Sequence, residues 1–289
     1  MTPHSSEPAA PAAAPRVERT PKTWFVTGAS RGLGRAFVEA ALDAGDRVAA
    51  TTRSAGTLDD LTARHGEAFA ELTLDIRDRA AVFAAVEQAR ERFGRLDVIV
   101  NNAGTSILGM VEEISEAQAR EHMETNVFGA LWVSQAAMAV VREQRSGHIV
   151  QISSVAAYGG HPTTGLYGAG KWALEGMSEA LAKEAAAFGG AVTIVEPGGY
   201  ETGLFSAGLT VADRIDGYAE LHARLEETWS ESTDADPALA AQALLTLVAS
   251  DAPPLRLVLG AAVYDAIPAI VAARAAELEA WREVSRAAG

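Results

Sequence analysis

The chain has 289 residues, 48% hydrophobic and 21% charged, which is enough apolar material for one large α/β domain with a substantial core. A formal net charge of -14 argues against a general nucleic-acid or anionic-membrane partner. The lack of cysteine excludes disulfides and thiol catalysis. His4, His65, His122, His148, His161 and His222 show no metal-ligand spacing, so no metal site is expected. No apolar run is long enough to span a bilayer.

Residues 1–21 are rich in Pro and Ala and lack the apolar core of a secretion signal, so a disordered extension is expected there and a cytoplasmic location overall. One domain is expected over 22–289. From Thr23 onward short apolar runs alternate with longer helical stretches. Strands are expected at Trp24–Thr27, Arg47–Thr51, Leu72–Leu74, Leu96–Val100, His148–Ile152, Ala191–Val195 and Leu255–Leu259. Helices are expected at Arg35–Ala44, Ala80–Phe93, Glu116–Arg145, Leu166–Phe188, Pro237–Ser250 and Ala269–Arg286. Ile270, Leu278 and Trp281 look like anchors of the last helix on the core or on a neighbouring subunit. This rhythm predicts a doubly wound parallel sheet of about seven strands, helices on both faces, with ligands beyond the carboxyl ends of the strands. The segment 200–236 fits the rhythm poorly and reads as a substrate lid.

Thr27, Asn101, Ser154 and Pro197 all follow directly on expected strand ends. Gly28-Ala-Ser30-Arg31-Gly32-Leu33-Gly34 lies between a strand and a helix, where glycines let backbone N–H groups approach a pyrophosphate. The second strand ends at Thr51-Thr52-Arg53 with no carboxylate for a ribose 2′-hydroxyl. Arg53 and Arg31 can instead hold a 2′-phosphate, which favours NADP(H). Asp75, beside Ile76, is placed either to bond an adenine amino group or to cap the turn before Arg77. Asn101-Asn102-Ala103-Gly104 follows the fourth strand and puts small residues under the adenosine ribose. Tyr167 and Lys171 stand four apart on one helix face. A phenol titrates near ~10, and a neighbouring ammonium is expected to draw it toward neutrality.

In this order, these residues together with Asn126, Pro197, Gly198, Gly199 and Thr202 resemble the classical short-chain dehydrogenase/reductase family. The resemblance is close over 22–202 and loose beyond. It implies a Rossmann-type fold and a carbonyl reductase, or the reverse alcohol dehydrogenase, working with NADP(H). Tyr167 is then the general acid or base, Lys171 lowers its pKa and bonds the nicotinamide ribose, and Ser154 holds the substrate oxygen. Asn126 holds a water of a proton relay, and Thr202 bonds the nicotinamide carboxamide. Homodimers or homotetramers through the two long helices are also implied. A catalytically silent NADP-binding sensor is the other reading, weakened by the presence of both Tyr167 and Lys171.

Two features depart from that pattern. Gly170 stands where the family usually has Ser, at a cost of about 1 kcal/mol within a helix, so close packing there is expected, with a partner subunit as one candidate. Tyr158-Gly159-Gly160-His161-Pro162 forms one substrate wall, with room beside the glycines; His161 either touches substrate or shapes the loop. Tyr200 and Phe205 of the lid, with Leu209, Tyr218, Leu221 and Trp229, suggest an apolar or aromatic small-molecule carbonyl or alcohol.

Overall fold

The computed structural model describes residues 20–204, 208–230 and 234–289, with 228–230 described by backbone alone. The Pro/Ala-rich tail up to residue 19, Phe205 and the side chain of Trp229 lie outside that description. The strands are β1 (Thr23–Val26), β2 (Arg47–Thr52), β3 (Phe69–Thr73), β4 (Val98–Asn101), β5 (Ser106–Leu108), β6 (Gly147–Ile152), β7 (Gly190–Pro197), β8 (Leu209–Val211) and β9 (Arg256–Leu259). The first α-helices are α1 (Gly32–Asp43), α2 (Asp59–His65), α3 (Arg79–Phe93), α4 (Glu116–Met123) and α5 (Ala130–Gln144). They are followed by α6 (Gly165–Ala186), α7 (Ala219–Ser230), α8 (Pro237–Ala249), α9 (Ala261–Ala280) and α10 (Arg282–Ala287).

Seven strands form one parallel sheet in the order β3-β2-β1-β4-β6-β7-β9. Strand side chains alternate between its faces. Trp24 and Val26 join Phe37 and Val38 of α1 and Leu244 of α8, whereas Phe25 joins Val82 of α3, Val133 of α5 and Leu181 of α6. Both faces are therefore covered, which explains why these strands read as unbroken apolar runs. Trp24 and Phe25 are fully buried, each stabilising the fold by roughly 2–3 kcal/mol. Chain order reverses between β1 and β4, and a ligand crevice forms at such a point. This is the expected Rossmann-type architecture.

The helix expected over Glu116–Arg145 is interrupted. A π turn at Glu124–Gly129 separates α4 from α5, and the stretch ends on Arg145 in the left-handed region at φ 58°. Helix α2, which seats Leu58 and Leu61 in the core, was not foreseen. Nor was the parallel pairing of β5 with β8, which gives the segment 200–236 its own structure. The C-terminal anchors do not seat on the core of the single chain: Leu278 and Trp281 are 71% and 62% exposed, Ile270 is half-buried, and no residue of α9 or α10 is buried, so of the two expected seats the neighbouring subunit remains. Pro268 and a nearly uniform Ala-rich sequence leave α9 without an apolar stripe to seat. Among the described residues no helix is long and apolar enough to cross a membrane.

Candidate active site

The turn after β1 is built from backbone. Gly28 and Gly32 have φ of 69° and 59°, a region that favours glycine. A Cβ on Gly28 would lie 2.8 Å from Ala103 Cα, and one on Gly32 would lie 2.7 Å from Thr202 Cβ. One on Gly34 would meet the Gly28 carbonyl oxygen and, at 2.5 Å, Asn102 Nδ2. Asn102 fastens this turn to β4: Nδ2 donates to the carbonyls of Thr27 (2.9 Å) and Gly28 (3.1 Å). The Thr27 hydroxyl accepts from the backbone N–H of Asn102 and Ala103. The turn therefore presents bare backbone at the N-terminus of α1, an arrangement suited to a phosphate.

One cavity runs along the carboxyl edge from this turn to α6. It gathers Ser30, Arg31, Leu33, Arg53, Asp75, Ile76, Gly104, Ser154, Tyr167, Lys171, Pro197, Gly198, Tyr200 and Thr202 together with the turn glycines and Asn102-Ala103. Gly199 and His161 do not line it; His161 is exposed. Asn126 is buried behind the wall, close enough that a Cβ on Gly104 would lie 2.7 Å from its Oδ1. Asp75 adopts the turn-capping geometry, accepting from the Arg77 N–H at 3.0 Å while the Arg77 guanidinium binds both carboxylate oxygens. Arg77 thus adds a third cation to this end of the cavity and holds the Asp75 carboxyl below its usual range.

Tyr167 and Lys171 are buried on α6. The Ser154 side chain hydrogen-bonds Tyr167 and also caps the short 3₁₀ turn that follows it, accepting from the Ala156 N–H at 3.2 Å. Lys171 Nζ donates to the Ile152 carbonyl at 2.9 Å and lies 5.8 Å from the centre of the Tyr167 ring. Burial lowers the Lys171 ammonium to about 8. The expected lowering of the phenol does not occur here. Burial pushes Tyr167 up, opposed only by the Ser154 hydrogen bond. A buried phenol kept protonated has a proton to give.

Three features of this corner were not read from the sequence. Glu196, at the end of β7, is fully buried and accepts from Tyr158 OH at 2.9 Å. Burial and the nearby Glu175 raise its carboxyl to about 7. Glu175 in turn accepts from Ser153 at 2.7 Å, so the strand end bearing Ser154 is braced from behind. His122 is buried edge-on to Tyr167, with ring centres 6.2 Å apart. The close packing expected at Gly170 is found within the chain: a Cβ there would lie 3.0 Å from His122 Nε2. Side chains joined across 22 to 45 positions of sequence leave no local signal; a lone His four before Asn126 was the single available hint.

The segment 200–236 is tied to the strip before α4. Ile215 N donates to Glu113 Oε1 at 3.0 Å, and Tyr218 OH donates to Glu112 at 2.8 Å. The buried pair of His222 and Glu113 closes at 2.8 Å. Burial opposes ionisation of Glu113, but the His222, Ile215 and Met110 hydrogen bonds outweigh it and hold the carboxyl at about 2. No group of acids and histidines suited to a metal exists among the described residues.

Known proteins resemble this arrangement. The family model described as short chain dehydrogenase matches residues 22–209. An oxidoreductase of Botryotinia fuckeliana is 37% identical over 270 residues, covering 92% of this chain and 98% of its own. A 3-ketodihydrosphingosine reductase of Bacteroides thetaiotaomicron is 36% identical over 183 residues, 63% of this chain and 65% of its own. A short-chain dehydrogenase from Streptomyces avermitilis has a solved structure that superposes with a TM-score of 0.87 at 37% identity, covering 94% of this chain and all of that one. The glycine turn, the cavity and the Ser154–Tyr167–Lys171 corner meet the demands of a nicotinamide cofactor and a small-molecule substrate, and the chain belongs to the short-chain dehydrogenase family of oxidoreductases.

Proposed function

We propose that this oxidoreductase is an NADPH-dependent carbonyl reductase, able to run the reverse alcohol oxidation. The supporting observation is a single cavity with Arg31 and Arg53 at one end and Ser154, Tyr167 and Lys171 at the other. A nicotinamide held in this cavity would supply the hydride for the carbonyl carbon. Ser154 orients the carbonyl oxygen and Tyr167 delivers its proton, a task its raised pKa suits. Lys171 supports the phenol and the ribose, and Asn126 the proton supply. Arg53 and Arg31 take the 2′-phosphate, with Arg77 neutralising Asp75 beside them. Thr202, against Gly32, is the residue for the carboxamide. A relative named as a ketone reductase agrees with the reductive direction.

The substrate in this reading is an apolar or aromatic ketone held under the segment 200–236, with Tyr200 at the cavity wall. A second copy of the chain docks on the outer faces of α4–α5 and α6, where Phe128 and Trp172 are 43% and 49% exposed. The test is a carbonyl panel followed by NADPH absorbance, with NADH alongside. NADPH is expected to be preferred, and Arg53→Ala to weaken NADPH roughly 10- to 100-fold, the worth of one or two charge-assisted hydrogen bonds, while leaving NADH unchanged. A preference for NADH by the unaltered chain overturns the cofactor assignment.

A further inference from the structure

Gly170 and His122 are two sides of one packing arrangement. His122 lies on α4, one turn before Asn126, and is 3% exposed. Its Nε2 comes so close to α6 that any Cβ at position 170 would sit 3.0 Å from it, and 3.5 Å from Asn126 Cβ. A side chain at 170 would displace the ring. The imidazole fills that space and meets Tyr167 edge-on, at an interplanar angle of 60°.

The same ring grips Asn126. Asn126 Nδ2, with two hydrogens to give, lies within hydrogen-bond distance of His122 Nδ1 at 3.0 Å and Nε2 at 3.4 Å, of the His122 carbonyl at 3.2 Å, and of the Thr105 carbonyl and hydroxyl, both at 3.1 Å. Asn126 Oδ1 accepts from the Thr105 N–H at 3.1 Å, which fixes which way round the amide lies. Asn126 sits in the π turn that interrupts the helical ladder between α4 and α5, a feature frequent at functional sites. His122 and Thr105 clamp it from either side, under Gly104 and next to the Lys171 ammonium.

We propose that His122 is a positioning residue: as a neutral imidazole accepting at Nδ1, it holds the Asn126 amide in register with Lys171, and Gly170 is glycine to house its ring. The inference rests on the reading of Tyr167 and Lys171 as the proton-transfer pair. An imidazolium has no acceptor nitrogen and would release Asn126. The titratable groups recorded against His122 among the described residues are Lys171 and Tyr167, both on α6. Burial, with the Lys171 charge, pushes the imidazole down to about 4, so it stays an acceptor at neutral pH.

The test compares His122→Leu, His122→Asn and Gly170→Ser with the unaltered chain. His122→Leu is expected to lower kcat roughly 10- to 100-fold, the usual effect of a misplaced supporting group, with KM and the NADPH Kd within about two-fold of the parent. His122→Asn, which returns an acceptor to the same place, is expected to restore most of the loss. Gly170→Ser is expected to lower both kcat and Tm, and His122→Ala combined with it to recover the Tm. Side-chain nitrogen NMR of the full chain is expected to find His122 Nδ1 unprotonated down to about pH 5. Unchanged kcat in His122→Leu, failure of His122→Asn to restore it, or a protonated Nδ1 overturns the inference. If the parent enzyme reduces no carbonyl, the reductase reading fails, and NMR together with the Gly170 and His122 Tm cycle still decides the clamp.

Discussion

The corner proposed as catalytic and the segment 208–230, proposed as part of its cover, are held in opposite ways. Tyr167, Lys171, Ser154 and Asn126 stand on two helices and a strand end, all buried or half-buried, with braces from Glu175, Glu196 and His122. The segment 208–230 hangs on a three-residue ribbon and a few ties of which one, Glu113 with His222, is a buried pair. A chemical step needs fixed atoms, and many short-range contacts fix them. A cover that admits substrate needs few attachments. The strength of this contrast can be measured by damaging each side in turn.

The largest effect is expected in the corner itself. Tyr167→Phe removes the proton donor while keeping the ring against His122, so kcat should fall about 10³-fold with the NADPH Kd nearly unchanged. Comparable turnover in the variant would transfer the acid role to another group and end the reading of this corner as catalytic.

The second expectation concerns pH. Lys171 is held at about 8 by burial, while Tyr167 is pushed up and stays protonated. Reductive kcat should be flat below pH 8 and fall about ten-fold per pH unit above it. The sign of the stability change separates this from unfolding. Between about 8 and the ordinary amine value of 10.5 the folded chain binds fewer protons than the unfolded one. The Lys171 contribution to stability therefore increases over that window, and a loss of rate there reports chemistry. A break at 10 or above would remove Lys171 from control.

On the covering side, His222→Leu takes the imidazole from the buried Glu113 carboxylate and leaves it the Ile215 and Met110 N–H donors. KM is expected to rise roughly 10-fold, the cost of one lost charge-assisted hydrogen bond, with kcat changed far less than in the corner variants. Equal losses in kcat would show that the cover and the corner move as one unit and dissolve the contrast. The pair is robust to acid: Glu113, held at about 2, contributes stability that is present above its ordinary 4.5 and lost as pH falls from there to 2. His122 and His148, both lowered to about 4 by burial, lose theirs earlier, as pH falls from 6.5 to 4. Acid should loosen the core before it frees the cover, with tryptophan fluorescence changing ahead of KM.

How much of this was legible follows the same division. The sheet could be read because strands covered on both faces spell continuous apolar runs, as in Trp24-Phe25-Val26 and Val98-Ile99-Val100. The glycine turn could be read because its three glycines fall within seven residues between a strand and a helix, although the collisions that force Gly28 and Gly32 are with the distant Ala103 and Thr202. The corner was half legible: the spacing of Tyr167 and Lys171 is local, but the upward shift of the phenol comes from the fold around it. The ties of the cover were illegible, since Glu113 and His222 are 109 residues apart and neither lies in a periodic pattern. Strands β5 and β8, at three residues each, are shorter than any alternation that could announce them.

The smallest effect is expected at the end of the chain. Leu278 and Trp281, expected as anchors on the core or on a neighbouring subunit, lie on the surface of α9 and at its end. If the single chain is the whole environment of these side chains, Leu278→Ala and Trp281→Ala should each change stability by less than about 0.5 kcal/mol in urea unfolding. Trp24→Ala in the sheet core should cost about 3–5 kcal/mol. Arg274, one of the few α9 side chains that reach the body, donates to the Tyr158 carbonyl and lies over Trp172. Arg274→Ala should therefore exceed both surface variants. A large loss at Leu278 or Trp281, growing with protein concentration, would mean that a second copy covers them, and that the end of the chain joins α4–α5 and α6 as an assembly surface.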